Sequence, residues 1–273
     1  MPLADAVEAD IAGGKAAGLA RLFGLGVAVP DGWVLTSEAI RMHRRGELGD
    51  AEFDSLIRDR MLAGLHPVSH RFAVRSSAAV EDSAQASYAG QFRTELNVAR
   101  HEVPAAVRRV ADSVTGQAAR SYARRLGLPA PESMAVIVQE QVSPSLAGVC
   151  LTAHPVTGAP ALVLEYAYGL GDTVVSGGAL AGSLVLPQCE DGGLAERQLA
   201  DVGPPASTWL RGVALLASKL ATILGSPQDV EWAVDHRGLW VVQTRPISTV
   251  GAPSSSRHLA AASRGESRRS NGE

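Results

Sequence analysis

The chain is 273 residues long, with 46% apolar, 19% charged and 4% aromatic residues and a formal net charge of −3. It is large enough for one big domain or two modest lobes, built mostly on Ala, Val and Leu, and it has neither the basic footprint of a nucleic-acid binder nor a polybasic membrane patch. No apolar run reaches the roughly 20 residues of a membrane helix, MPLADAVEAD has no signal-peptide pattern, and Cys150 and Cys189 make neither a disulfide framework nor a four-ligand metal site, so a reduced, cytoplasmic protein is expected.

From Gly13 to Leu25, GGKAAGLARLFGL opens on two glycines and spaces Leu19, Leu22, Phe23 and Leu25 roughly as a helix does. VAVPDGWVLTSEAI then reads as a strand broken by a Pro-Asp-Gly turn, with Ser37 placed to cap a following helix. Residues 40–66 are helical in tendency, RFAVRSS (71–77) is a short strand, and small residues without a period from Ser76 to Gln91 predict a loop. Residues 100–126 look helical. After Pro129 and Pro131, the runs at 134–142, 146–153, 161–168 and 182–187 are β-rich and separated by Pro- or Gly-bearing turns. Residues 206–224 predict an amphipathic helix with Trp209, Val213, Leu216, Leu220 and Ile223 on one stripe. A hairpin occupies 229–245, and 251–273 has too little apolar content to fold and reads as a disordered tail. The pattern is α+β or α/β, with lobes at 1–130 and 131–250.

The hairpin DVEWAVDHRGLWVVQTR is the most informative segment. Its loop could hold two or four residues, but His236-Arg237-Gly238 suits three, with Gly at the left-handed position. That register pairs Asp235 with Leu239, Ala233 with Val241, Glu231 with Gln243 and Asp229 with Arg245. Val230, Trp232, Val234, Trp240, Val242 and Thr244 then face the core, while Asp229, Glu231, Gln243 and Arg245 gather at one end of the other face. Directly opposed side chains sit about 4.5–5.5 Å apart at Cβ, so Glu231 and Gln243 could offer oxygens to one hard cation such as Mg²⁺. Arg245 would supply a fork for phosphate oxygens. The same residues also fit a wet sheet face with Asp229 and Arg245 as a cross-strand ion pair.

Lys15 follows two glycines at a helix start, where backbone N–H groups favour anions, although a solvated Lys fits equally and no Walker A spacing is present. Arg75, followed by Ser76 and Ser77, closes a strand in a way that can aim a guanidinium and hydroxyls at phosphate, or simply at solvent. The loop carrying Ser83, Ser87 and Gly90 could fold over a triphosphate or be an ordinary surface loop. Gln139, Glu140 and Val142 sit where a strand runs out between lobes, either bordering an adenine or merely ending the strand. No HExxH, GxSxG or GxGxxG pattern occurs, which argues against a zinc site, a common hydrolase or a dinucleotide enzyme.

Five blocks in order, GGKAAGLARLFGLGVAVPDGWVLT, FAVRSSAAVEDSAQASYAGQFRTELNV, MAVIVQEQVSPSLAGVCLTAHPVTG, LVLEYAYGLGDTVVSG and DVEWAVDHRGLWVVQTRPI, resemble the nucleotide-binding domain of phosphoenolpyruvate synthase and pyruvate phosphate dikinase. The similarity covers about residues 11–247 and extends to rifampin phosphotransferases and the dikinases of starch metabolism. It implies an ATP-grasp fold whose two lobes clamp Mg-ATP. Lys15 and Arg75 would hold phosphate oxygens under the Ser76–Gly90 loop, with Ser76, Ser77 and Gly90 as nucleotide contacts. Gln139, Glu140 and Val142 would border adenine, with Glu165 a further nucleotide contact. Glu231 and Gln243 would ligate Mg²⁺, and Arg245 would stabilise phosphate charge. Lys15, Arg75 and Arg245 would be the catalytic set. The resemblance also implies phosphoryl transfer from ATP to a histidine on a mobile carrier, with ATP ending as AMP plus phosphate. The similar stretch stops after RPI, so a separate phosphohistidine carrier or acceptor protein is expected, and the chain would be incomplete without it. His70 lacks the glycines that flank the family's phosphohistidine, and His154 stands where many relatives have an acidic residue or Asn. A non-catalytic nucleotide-binding module, or a truncated remnant of a larger dikinase, is the second reading. An ATP-grasp carboxylate ligase is a third, for which no acceptor site is visible.

Overall fold

The computed structural model describes residues 1–65, 71–79, 82–83, 86–87, 92–117, 120–121, 124, 133–169, 182–187, 199 and 201–247. The expected tail at 251–273, Gly90 and His70 lie outside these. In chain order come α1 (Ala9–Ala12), α2 (Gly14–Gly24), β1 (Gly32–Leu35), α3 (Ser37–Arg44), α4 (Asp50–Ser55), a π turn over Leu56–Leu62, β2 (Arg71–Ser77), β3 (Asp82–Ser83), β4 (Ala86–Ser87), β5 (Thr94–Ala99) and α5 (Val103–Asp112). Then follow β6 (Ala135–Glu140), β7 (Leu146–Leu151), β8 (Ala161–Tyr168), β9 (Gly182–Pro187), α6 (Ala206–Leu224), β10 (Gln228–Asp235) and β11 (Gly238–Pro246).

Two larger antiparallel sheets organise most of these elements among the described residues, one in the order β1-β6-β2-β5 and one in the order β11-β10-β7-β8-β9, while β3 and β4 pair with each other. The class is α+β. Strand β6 lies beyond Pro131 yet pairs with both β1 and β2, and the chain reaches the second sheet only between Glu140 and Leu146. Prolines mark a break in regular structure, not which sheet the next strand joins.

Strand alternation sorts the first sheet. Phe72, Val74, Val136 and Val138 pack with Phe53, Ile57, Val107 and Val110 in one core. On the opposite face Ala135 and Ile137 pack with Leu19 and Leu22 of α2, in a core that continues through Leu146, Cys150, Leu164 and Trp232 to Leu210, Val213 and Leu220 of α6. Arg75, one residue on from Val74, therefore lies on the side of α2 and the second sheet.

Two local expectations change. Thr36, not Ser37, caps α3, its hydroxyl accepting from the Ala39 N–H at 3.3 Å. Helix α6 buries Ala206, Leu210, Val213, Ala214, Ala217 and Leu220, whereas Ile223 is exposed. Reading the stripe from large residues alone rotates it, because small alanines are what face the sheet.

Cys150 is fully buried in this core, and burial, reinforced by the charge of Asp229, pushes its thiol up to about 12. The thiolate is the reactive form. Native protein carrying Cys189→Ser is therefore expected to resist iodoacetamide roughly a thousandfold more than an exposed thiol, and to label fully once denatured. Mass spectrometry of the alkylated protein reads this directly.

Candidate functional site

The site is built where the hairpin of the second sheet meets β2 of the first. At its ligand end the hairpin keeps the expected register, with Glu231 opposite Gln243 and Asp229 opposite Arg245. At its tip it does not. The loop has two residues, Asp235 pairs with Gly238, and a bulge after Glu231 sets Trp232 opposite Val241. The extra bulge residue replaces the extra loop residue, so the far register survives while the near side chains change faces. Val241 and Leu239 thus join the core with Val230, Trp232 and Val234, while Trp240 and Val242 leave it. These two pack instead with Val142, Ala147 and Ala233 in a small apolar platform on the face that carries Glu231. The tip is clamped by Asp235, which accepts from Trp240 Nε1 at 2.9 Å and from the Arg237 backbone N–H at 2.8 Å. Burial opposes ionisation of Asp235, but these hydrogen bonds and the Arg237 charge outweigh it and hold the carboxyl below its usual range. The same arginine lies over the Trp240 ring, 4.7 Å from its centre.

Asp229 and Arg245 form an ion pair, with Arg245 Nε and Nη2 donating to Asp229 Oδ2 at 2.8 and 2.6 Å. The second carboxylate oxygen, Oδ1, is buried without a hydrogen-bond partner. Burial pushes the Asp229 carboxyl upward, Arg245 draws it back, and nearby Glu231 adds a further upward push.

Arg75 reaches across from β2. Its guanidinium donates to Gln243 Oε1 at 2.6 Å and to the Val242 carbonyl at 2.5 Å, and lies 3.4 Å from Glu231 Oε2. Sequence reasoning assigned Arg75 to phosphate and the Glu231–Gln243 pair to a metal, but it did not foresee that the three would touch. Two oxygen donors thus converge on one positive charge, which is the donor chemistry a hard divalent cation requires. Among the described residues no group of three or more His, Cys, Asp or Glu side chains converges, so a cation here would draw its remaining ligands from phosphate and water.

At the next residue of β2, Lys15 Nζ donates to Ser76 Oγ at 3.4 Å. Ser77 is fully buried, and its hydroxyl accepts from the Ala16 N–H of α2 at 3.1 Å. Gly14 N–H also donates to the Ala78 carbonyl at 2.9 Å. Ser77 is therefore engaged in docking the start of α2 onto β2, and this docking sets Lys15 next to Ser76. Gly13 makes it possible: with φ +82°, it sits where an added Cβ would lie 2.0 Å from the Ser77 carbonyl oxygen.

The remaining expected contacts are more scattered. Gln139 is buried and donates from Nε2 to the Pro30 carbonyl at 2.9 Å, a bond internal to the first lobe. Glu140 alternates with Val136 and Val138, on the face away from Arg75. Val142 belongs to the apolar platform. Glu165 lies in the same cross-sheet row as Glu231, separated by Val149, hence two strands or about 10 Å away on one face. His154 holds a turn, its Nδ1 accepting from the Val156 and Thr157 N–H groups at 3.3 Å each. Gly90 lies outside the described residues. So do residues 80–81, 84–85 and 88–89 of the Ser76–Gly90 loop, within which the backbone of Asp82–Ser83 pairs with that of Ala86–Ser87. Missing from the sequence-based set were the apolar platform and the Asp235 clamp. The first depends on a bulge with no compositional mark, whereas an acidic residue beside a tight turn was a usable signal for the second.

Paired oxygen donors on the hairpin and a basic side chain from β2 thus meet at one place. The chain belongs to the family of the pyruvate phosphate dikinase AMP/ATP-binding domain, whose model matches residues 51–200 and 194–266. It is 32% identical to the prodigiosin synthesizing transferase PigC of Serratia marcescens over 88% of this chain and 32% of that one. It is 28% identical to a probable phosphoenolpyruvate synthase of Archaeoglobus fulgidus (91% and 41%), and 31% identical to a rifampicin phosphotransferase of a Streptomyces species (90% and 35%). The chain thus spans about a third to two-fifths of the length of these relatives. Among solved structures it aligns with a RimK domain ATP-grasp protein of Sphaerobacter thermophilus over 87% of this chain and 60% of that one, at 15% identity and a TM-score of 0.40, a likeness too loose to argue from. No helix among the described residues is long and apolar enough to cross a membrane.

Proposed function

We propose that this chain binds Mg-ATP between its two sheets, in the manner of an ATP-grasp domain, and donates phosphate from it to a carrier histidine on a separate domain or protein, in the cytoplasm. The observation behind this reading is the convergence of Arg75, Glu231 and Gln243, from segments about 160 residues apart, beside the Asp229–Arg245 pair. Glu231 and Gln243 would hold Mg²⁺, with Asp229 Oδ1 close by as a further oxygen. Bound there, the metal would neutralise phosphate charge. Lys15 and Arg75 from the first lobe and Arg245 from the second would grip and orient phosphate oxygens. Asp229 fixes the Arg245 fork, and the platform of Val142, Ala147, Ala233, Trp240 and Val242 offers an apolar wall for a base. Such a set works by positioning and charge neutralisation, with no protein base required.

The test is to mix the protein with ATP, Mg²⁺ and the carrier-bearing remainder of a related phosphoenolpyruvate synthase, and to follow nucleotides by ³¹P NMR. The reading expects AMP and phosphate, with an acid-labile phosphohistidine on the carrier. Tight ATP binding without AMP from any carrier supplied would favour the non-catalytic nucleotide-binding module instead.

A further inference from the structure

We infer that Arg75 competes with the divalent cation for the Glu231–Gln243 pair, so that loading the nucleotide site requires this arginine to change partners. The inference rests on the function proposed above and concerns what competes with the metal for its seat. The guanidinium lies within 2.6 Å of Gln243 Oε1 and 3.4 Å of Glu231 Oε2. It is 12% exposed and Glu231 19%, so water screens the contact weakly. Gln243 and Glu231 face each other directly across the hairpin, and a cation coordinated by both would share their oxygens with the arginine. A guanidinium and a divalent ion repel at that distance, and neither oxygen pair can serve both at full strength.

Several consequences follow from this geometry. In this geometry Arg75 neutralises Glu231, keeps the two donor side chains aligned, and ties the second sheet to the first through the Val242 carbonyl. When metal and nucleotide arrive together, the displaced guanidinium finds phosphate oxygens in the same place, with which it can form paired charge-assisted bonds. Metal alone offers it no such partner. The seat should therefore accept the metal–nucleotide complex far more readily than the free ion, and Arg75 is the residue responsible for that preference.

The distinguishing experiment titrates Mn²⁺ alone, without nucleotide, by electron paramagnetic resonance into wild type, Arg75→Met, Arg75→Lys and Glu231→Ala. Methionine keeps an unbranched apolar stem but removes the charge and the donors. Expected are at least tenfold tighter Mn²⁺ binding by Arg75→Met than by wild type, a smaller shift in the same direction for Arg75→Lys, and no binding at this seat by Glu231→Ala. Calorimetry on Arg75→Met should at the same time show Mg-ATP binding weakened at least tenfold, since the phosphates lose a partner. Opposite signs for the free ion and the complex are the signature. Equal or weaker Mn²⁺ binding by both Arg75 variants, with the ion still lost in Glu231→Ala, overturns the competition while leaving the metal seat intact. Mn²⁺ binding by none of the proteins, or binding that survives Glu231→Ala, overturns the metal seat and the competition with it.

Discussion

Arg245→Ala is expected to lower the unfolding free energy by roughly 2–4 kcal/mol near neutral pH, and by much less near pH 4. Asp229 is largely buried, one of its oxygens is already without a partner, and Arg245 alone is seen to satisfy the other. Removing the arginine leaves an uncompensated carboxylate, which costs far more than the ion pair contributes in net terms. The direction with pH follows from the raised folded-state affinity of Asp229 for its proton. A carboxyl raised on folding favours the native state below its unfolded value, and that contribution is lost as pH climbs through the folded value. Arg245 opposes the rise in wild type. Without it the folded value climbs further, so the window over which stability is lost widens upward. The deficit of the variant should thus grow as pH rises from the ordinary carboxylate range towards neutral, and Asp229→Asn added to Arg245→Ala should recover part of it by removing the stranded charge. Urea unfolding across that range measures both effects.

Gly13→Ala is expected to destabilise by at least about 2 kcal/mol and to weaken ATP binding, although position 13 need not touch a ligand. Its φ of +82° and ψ of 160° fall in a region that L side chains rarely adopt, and the added methyl would meet the backbone of Ser77 at 2.0 Å. Backbone cannot rotate aside as a side chain can, so α2 must lift from β2. The Ala16–Ser77 and Gly14–Ala78 hydrogen bonds would then weaken together, and Lys15 would move away from Ser76. Gly24→Ala, at the far end of the same helix, makes a clean contrast. It meets nothing within 4 Å and needs no positive φ, so a change within about 0.5 kcal/mol is expected. Thermal unfolding of the two variants, followed by nucleotide titration, separates the local effect from the global one.

Much of the site could be read in the sequence because it lies on one hairpin, where register follows from a short turn and a two-residue period. Even there the agreement rested on compensation. A two-residue loop plus a bulge preserved the pairing of Glu231 with Gln243 but reversed Trp240 and Val242 relative to the core. What could not be read were relations between distant segments. Nothing local to RFAVRSS says that Arg75 faces Gln243, because that depends on how β2 and β11 are brought together through α2 and the linker after β6. The same holds for β6 itself. Its all-apolar opening suits either sheet, and only its pairing with β1 and β2 assigns it to the first. Gln139 and Ser77 looked like ligand contacts by their neighbours in sequence, yet their side chains meet Pro30 and α2. A buried polar residue must satisfy its hydrogen bonds wherever the fold permits, and that choice is tertiary.

The central claim, a metal-dependent nucleotide seat on the hairpin, is tested most directly by calorimetric titration of ATP with and without Mg²⁺ into wild type and Glu231→Ala. The account predicts binding by wild type that depends on Mg²⁺ and is lost in a Glu231→Ala protein with an unchanged fold. ATP binding by wild type that is indifferent to Mg²⁺, or that Glu231→Ala retains at full strength, would contradict it.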